Sequence, residues 1–175
     1  MSEKLQPETA SSERGGDADS IAASRYVSEP ERRGKITSEL MERTGIDDAM
    51  IERLVRTFYG RVRRDPLIGP IFEARIADWE HHIAKLCAFW SSVALMTGRY
   101  HGQPMQKHMN LPVGGSHFDR WLELFEATAR ELCPPVAAVH FIERARRIAD
   151  SLEMGVATQQ GRIYTPRHSV RQIGL

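Results

Sequence analysis

Hydrophobic residues recur at helical spacing along the chain from about residue 36 to about residue 156. A helix from Asp47 or Asp48 to about Arg64 is predicted, because an acidic cap precedes an apolar stripe and Asp65-Pro66 follows it. That stripe steps along the chain by 4, 3 and 4 residues: Ile51, Val55, Phe58 and Val62. Its spacing places these side chains on one face of the helix, where they contribute to a core.

The same spacing predicts several further helices, and no segment alternates in the manner of a strand. The predicted helices pass through Leu40 and Met41, and then span about 77–96, 105–109, 116–132 and 135–154. Pro70-Ile71-Phe72 is predicted to be an apolar connection, and Gly155 to be the stop after the last helix. These elements predict an all-α fold without internal repeats.

Composition places one domain between two polar ends. Residues 1–35 are predicted to be a disordered leader, 36–156 the folded domain, and 157–175 a flexible tail. The chain of 175 residues has 24 basic and 23 acidic side chains, a net charge of +1. This balance argues against nucleic acid, and the lack of a long apolar run argues against a membrane span. Two cysteines, Cys87 and Cys133, suit free thiols in the cytoplasm.

Two histidines on separate elements suggest the two sides of a haem. His108 lies on a short predicted helix with Met105, and His82 lies on the apolar face of the helix that also carries Phe89 and Trp90. A haem needs one basic axial ligand and an apolar slot for the porphyrin. From spacing alone, His108 fits a surface histidine as well as it fits a ligand.

The remaining candidates have plainer interpretations that the residues alone leave open. An inward-facing His82 is more often a hydrogen-bonded core residue than an acid–base group. Tyr59 and Trp121 carry polar tips that need partners if buried, and backbone carbonyls would suffice. Trp79 and Trp90 are interpreted as packing residues. A zinc site is the rival for a His-rich chain, but no zinc-ligand spacing is present.

Four segments resemble, in the same order, those of group III truncated haemoglobins. They are residues 58–72, Asp78-Trp79-Glu80-His81-His82 with Phe89-Trp90, Tyr100-His101-Gly102-Gln103-Pro104 leading to His108, and His117-Phe118-Asp119-Arg120-Trp121-Leu122. The resemblance covers roughly residues 36–156. It implies a shortened globin fold, a two-over-two helical sandwich around haem b.

The resemblance also implies roles for individual residues. His108 would be the proximal iron ligand, and Tyr59 the distal phenol that donates to bound dioxygen. His82 would be the distal-helix histidine, and Trp121 an indole that faces the ligand. The pocket would further be lined by Leu86 and Phe72. Independently of the resemblance, Met105, close to His108 in the sequence, is a soft, adaptable contact for a porphyrin ring.

Three functions are compatible with these residues. The first is reversible binding of dioxygen and other diatomic ligands, carbon monoxide and nitric oxide, at a His-ligated haem iron in the cytoplasm. The second is a haem enzyme, a nitric oxide dioxygenase or a peroxidase, using His82, Tyr59 and Trp121 with an external reductase. The third is a helical interaction or sensor domain without haem.

Overall fold

Helices are the only regular elements in residues 28–166, the part of the chain that this computed structural model describes. The all-α prediction is confirmed for those residues. The helices are α1 (Glu29–Thr44), α2 (Asp48–Val62), α3 (Gly69–Glu73), α4 (Trp79–Leu95), α5 (Pro104–His108), α6 (Gly115–Leu132) and α7 (Pro135–Gln159). No helix of the described range is long and apolar enough to cross a membrane.

Helix α1 begins earlier than the predicted start near Ile36. The Ser28 side chain accepts from the backbone N–H of Glu31, whose carboxylate accepts in turn from the Ser28 backbone, and Pro30 fits the first turn. Residues 29–35, assigned to the leader from sequence, are therefore helical. The rest of that leader, residues 1–27, and residues 167–175 of the tail lie outside the described residues.

The predicted connection at Pro70-Ile71-Phe72 is wrong, because these residues form most of the short helix α3. Asp65 stabilises the turn that leads into α3, because one carboxylate oxygen accepts from the backbone N–H groups of Leu67 and Ile68, each at 3.0 Å. Pro70 then fits the first turn, where a missing N–H costs nothing. A five-residue helix is too short to show the periodicity that identifies longer ones.

Two pairs of helices form the body of the fold. Helix α2 packs against α4, α6 packs against α7, and contacts of α2 with α6 join the two pairs. The core between them is aromatic, with Phe58, Trp90, Phe125 and Phe141 at most 1% exposed. The interpretation of Trp90 as a packing residue is confirmed, since its ring stacks on Phe125 at a centroid distance of 4.7 Å.

An ion pair with a buried carboxylate joins α6 to the turn after α2. Asp65, whose side chain is 2% exposed, accepts from Arg120 Nε at 2.7 Å. Burial would by itself raise the pKa of Asp65, but the Arg120 guanidinium and the two backbone N–H groups hold that pKa below its usual value. Arg120 directly precedes Trp121, so this pair fixes the height of α6 beside the end of α2.

Helix α7 continues to Gln159, past the stop predicted at Gly155. Gly155 lies inside the helix and leaves a notch: a Cβ there would come within 2.3 Å of Met105 Sδ. At the other end of the bundle, two side chains of α7 contact the carboxyl end of α4. His140 Nε2 donates to Ala94 O at 2.8 Å, and Arg144 Nε donates to Val93 O at 3.1 Å.

Candidate functional site

Tyr59 lies in the last turn of α2 and points into the protein, where it is 5% exposed. Burial raises the pKa of its phenol well above the usual value, although a hydrogen bond from the Trp121 side chain lowers it in part. The phenol is therefore protonated at physiological pH. Because its oxygen accepts from the Trp121 indole N–H, its own hydrogen remains available for donation.

His82 lies in the first turns of α4, and its half-buried ring stands perpendicular to two aromatic rings. The centroid of Tyr59 is 6.0 Å away and that of Trp79 is 5.8 Å away. Burial, followed by electrostatic interactions with Lys85 and His81, lowers the pKa of His82 below its usual value. The imidazole is consequently neutral at pH 7 and has one donor and one acceptor nitrogen.

The face of α4 that carries His82 is not the most deeply buried one. Ile83, Trp90 and Ala94 are 6%, 1% and 0% exposed, whereas the predicted inward stripe is only half-buried along its length: His82, Leu86, Phe89 and Val93. The deeply buried face is thus rotated by one residue from the prediction. The predicted stripe forms a partly open wall beside it.

Phe72 and Trp121 complete a cluster around Tyr59. The Phe72 ring lies 5.8 Å from Tyr59 in an edge-on arrangement, and Trp121 lies 5.3 Å from Phe58 and stacks on Phe125 at 5.4 Å. The structure therefore brings together four of the predicted site residues, Tyr59, Phe72, His82 and Trp121. Leu86 lies one turn beyond His82 and is half-buried against the same core.

Trp79 belongs to this cluster, although the sequence indicated only a packing residue. Its ring centroid lies 6.4 Å from that of Tyr59, and Arg63 Cζ lies 4.5 Å above the ring. The indole Nε1 is buried and has no hydrogen-bond partner among the described residues. A buried donor without a partner costs about 1–3 kcal/mol of stability. Trp79 therefore differs from an ordinary core side chain. No sequence motif distinguishes it.

His108 and Met105 lie on α5, apart from the aromatic cluster. His108 Nδ1 is 2.7 Å from the Pro104 carbonyl oxygen. A carbonyl only accepts, so Nδ1 carries the hydrogen and Nε2 keeps its lone pair. This is the arrangement in which a backbone acceptor orients a histidine that ligates a metal through its other nitrogen.

Met105 holds α5 against α7. Its thioether fills the notch at Gly155, and α5 makes its main helix contacts with α7. None of the five residues of α5 is buried. The position of His108 therefore depends on the hydrogen bond to Pro104, on the seat of Met105 in the notch and on backbone hydrogen bonds of its own short segment.

The other features of the described region are weaker candidates for a functional site. A cleft of about 550 Å³ lies between α1 and Thr97–Arg99, away from the aromatic cluster. Its Thr37 hydroxyl donates to Leu95 O, and its Arg99 pairs with Asp48. Within residues 28–166, no group of three His, Cys, Asp or Glu side chains could hold a metal ion.

Residues 39–153 match the model of the family described as bacterial-like globin. The chain belongs to this family. Globins as a family bind haem, and the two-over-two pairing of α2 and α4 with α6 and α7 is the core of the shortened globin fold expected from the sequence.

Relatives of this globin are truncated haemoglobins. The group 3 truncated hemoglobin ctb of Campylobacter jejuni is 34% identical over 113 residues, covering 62% of this globin and 89% of the relative. The group 2 truncated hemoglobin YjbI of Bacillus subtilis is 28% identical over 79 residues, covering 44% of this globin and 60% of the relative. The crystal structure of a group III truncated hemoglobin from Campylobacter jejuni matches with a TM-score of 0.58 and 34% identity, over 62% of this globin and 89% of that chain. The resemblance to group III truncated haemoglobins is thus confirmed.

The residues of this globin fit a haem. The half-buried wall of α4 is apolar, and Phe72, Leu86, Phe89 and Trp121 are large apolar side chains that pack on the core without being fully covered. Such side chains suit the faces of a porphyrin. On another element, the Nε2 lone pair of His108 is of the type that haem iron takes as its axial ligand.

Proposed function

We propose that this globin binds haem b through His108 and reversibly binds dioxygen and other diatomic ligands, including carbon monoxide and nitric oxide. The observation that carries the proposal is the hydrogen bond from His108 Nδ1–H to the Pro104 carbonyl, which leaves Nε2 as a ligand. When bound, haem supplies an iron centre that exchanges small diatomic molecules.

On the distal side, Tyr59 acts as a hydrogen-bond donor. Its phenol stays protonated because burial raises its pKa, and the phenol oxygen accepts a hydrogen bond from the Trp121 indole. A hydrogen bond from such a donor to an acceptor that carries negative charge is worth about 1.5–3 kcal/mol. Tyr59 and Trp121 together therefore favour a polar ligand such as dioxygen over an apolar one.

Phe72, Leu86 and Met105 exclude water from the two sides of the pocket. Their side chains are apolar and half-buried against the core or, for Met105, against α7. A dry pocket strengthens the hydrogen bond from Tyr59, since the effective dielectric constant is lower there than in water. Both cysteines, Cys87 and Cys133, are free, as expected for the cytoplasmic location that we include in the proposal.

A second candidate, a haem enzyme that dioxygenates nitric oxide or reduces peroxide, is favoured by one observation. The neutral imidazole of His82 lies 6.0 Å from the ring of Tyr59, so a proton acceptor and a proton donor share the pocket. Such an enzyme needs electrons from a separate reductase. A turnover rate that collapses in His82→Ala, with dioxygen binding retained, would favour this candidate over the carrier.

The decisive experiment is the absorption spectrum of the purified full chain, reduced with dithionite, before and after carbon monoxide. We expect a Soret band that shifts when carbon monoxide is added. A protein that stays colourless after reconstitution with haem would refute the haem proposal and favour the helical interaction or sensor domain. A Soret band that does not move would show that no coordination site is open to ligands.

A further inference from the structure

Trp79 is an unusual residue of the cluster because its buried indole N–H has no hydrogen-bond partner among the described residues. It opens α4, directly after the cap Asp78, whose side chain accepts from the His81 backbone N–H at 3.0 Å. Its indole Nε1 is buried and has no acceptor among residues 28–166. Buried donors in native proteins nearly always have a partner, so an unpaired one requires an explanation.

The Trp79 ring is held in place by contacts on several sides. Arg63, which pairs with Glu73 at 2.8 Å, lies over its face, and His82 stands perpendicular to it. Tyr59 lies on another side at a tilt of 52°. Turning the indole to bring its N–H to solvent would break these contacts. The donor is thus fixed beside two residues, Tyr59 and His82, of the proposed pocket.

Packing and the contact with Arg63 account for an aromatic ring at this position, tryptophan being the best partner for a cation, but they leave the buried N–H unexplained. A phenylalanine ring would also lie under Arg63 and beside His82, and it would bury no donor. The N–H is therefore the property of Trp79 that needs an acceptor from outside residues 28–166.

We propose that Trp79 is a further binding residue of this pocket, whose indole N–H donates to an oxygen acceptor that arrives with the haem. The inference rests on the proposed haem binding. The acceptor is an oxygen with negative charge, and two sources share that chemistry: a carboxylate of the haem and the outer oxygen of a diatomic ligand.

The test compares Trp79→Phe with the wild-type full chain, both loaded with haem and carbon monoxide. Phenylalanine keeps an aromatic ring under Arg63 but removes the N–H. Two quantities are measured: the carbon monoxide stretching frequency in the infrared, and the rate of haem transfer to an excess of a haem-free acceptor globin. Trp90→Phe is the matched control, because Trp90 is buried in the core and contacts Phe89, Phe125 and Phe141 instead.

The two sources of the acceptor predict different results. If the acceptor is a haem carboxylate, Trp79→Phe should lose haem about ten-fold faster than wild type, with the stretching frequency unchanged. If the acceptor is the diatomic ligand, the stretching frequency should rise because a donor near the ligand oxygen is lost. The proposal is overturned if neither quantity differs from wild type by more than it does in Trp90→Phe.

The wild-type chain offers a second test that needs no stable variant. Its three tryptophans give three indole N–H signals in a ¹⁵N-labelled sample. We expect the exchange of the Trp79 indole hydrogen with solvent to slow by about ten-fold or more when haem and carbon monoxide are bound. An exchange rate that is the same with and without haem would also overturn the proposal. A wild-type chain that takes up no haem would instead refute the proposed function itself.

Discussion

Tyr59 and His108 are held in place by very different amounts of protein. Tyr59 lies on α2, where seven of fifteen residues are buried, and aromatic rings surround it. His108 lies on the five-residue α5, where none is buried. One side of the proposed pocket is therefore part of the core, and the other is a short segment attached to it.

This difference separates two kinds of sensitivity. On the distal side, loss of one polar atom leaves the surrounding packing in place, so the effect falls on the ligand. On the proximal side, few contacts position the histidine, so one change is expected to affect retention of the whole cofactor. The following predictions test this contrast, beginning with the largest effect.

Replacing His108 by glycine should weaken haem binding by more than about 100-fold, beyond the effect typical of removing a residue that only orients a metal ligand. Haem titration followed at the Soret band measures the loss. Added imidazole should restore binding, because it supplies the missing lone pair in the space that glycine leaves. His101→Ala is the control, since His101 is exposed on the segment before α5. Unchanged haem affinity in His108→Gly would remove His108 from its proposed role.

Replacing Tyr59 by phenylalanine should speed dioxygen release by about ten-fold or more, while haem affinity changes little. Two interactions are lost, the hydrogen bond that the phenol donates to the ligand and the one that its oxygen accepts from the Trp121 indole, while the packing of the ring is kept. Stopped-flow mixing of the dioxygen complex with excess carbon monoxide gives the rate. Tyr100→Phe is a matched change outside the cluster, next to Phe89. Equal off-rates in all three proteins would contradict the role of Tyr59.

Replacing Gly155 by alanine should separate the stability of the fold from the attachment of α5. Alanine favours a helix by about 1 kcal/mol over glycine, and only the flexible end of Met105 must move to make room for it. The free energy of unfolding should therefore change by no more than about 1 kcal/mol. The displaced Met105 no longer seats α5, so haem loss should become about three-fold faster or more, as for a contact of the order of 1 kcal/mol. Urea unfolding and haem transfer measure the two effects. If the rate of haem loss rises only as much as the change in unfolding free energy explains, the notch does not position α5 separately from the rest of the fold.

The smallest effect concerns the carboxyl end of α4, where His140 donates to Ala94 O. Burial, with the charges of Arg144 and Arg43, lowers the pKa of His140, although its hydrogen bond and Glu143 oppose this. The unfolded chain then binds the proton more readily, so the stabilising contribution is complete above about pH 6.5 and is lost as the pH falls below it. His140→Gln keeps a donor and should flatten this acid dependence slightly. Urea midpoints at pH 7 and pH 5, beside those of the exposed His101→Gln, measure it.

Much of this molecule could be predicted from the sequence because its long helices have clear apolar stripes and caps. The helix predicted from Asp47 or Asp48 is α2, whose cap Asp47 accepts from Met50 N–H at 2.7 Å. Four segments in the same order along the chain, which contain Tyr59, His82, His108 and Trp121, indicated the family. These features are local, or are matched segment by segment, and need no knowledge of distant contacts.

The parts that were missed depend on contacts between distant residues. Gly155 has the appearance of a helix stop, and only the position of Met105, fifty residues earlier, explains a glycine in the helix interior. Trp79 was interpreted as packing because a sequence does not show whether a buried N–H finds an acceptor. The predicted inward face of α4 lies one residue away from the deeply buried one, because apolar periodicity does not distinguish a core from the wall of a pocket.

The ion pair between Asp65 and Arg120 has a consequence for how relatives of this globin can diverge. Asp65 serves three donors, Arg120 and the backbone N–H groups of Leu67 and Ile68, from a nearly buried position. Loss of Arg120 would leave the buried Asp65 carboxylate without a charged partner and is costly. Loss of Asp65 costs less at Arg120, which is 36% exposed and still pairs with Glu123, but it removes the acceptor of two backbone N–H groups. Positions 65 and 120 are therefore expected to covary across the family, and Trp121, the neighbour of Arg120, is expected to be retained where that pair is kept.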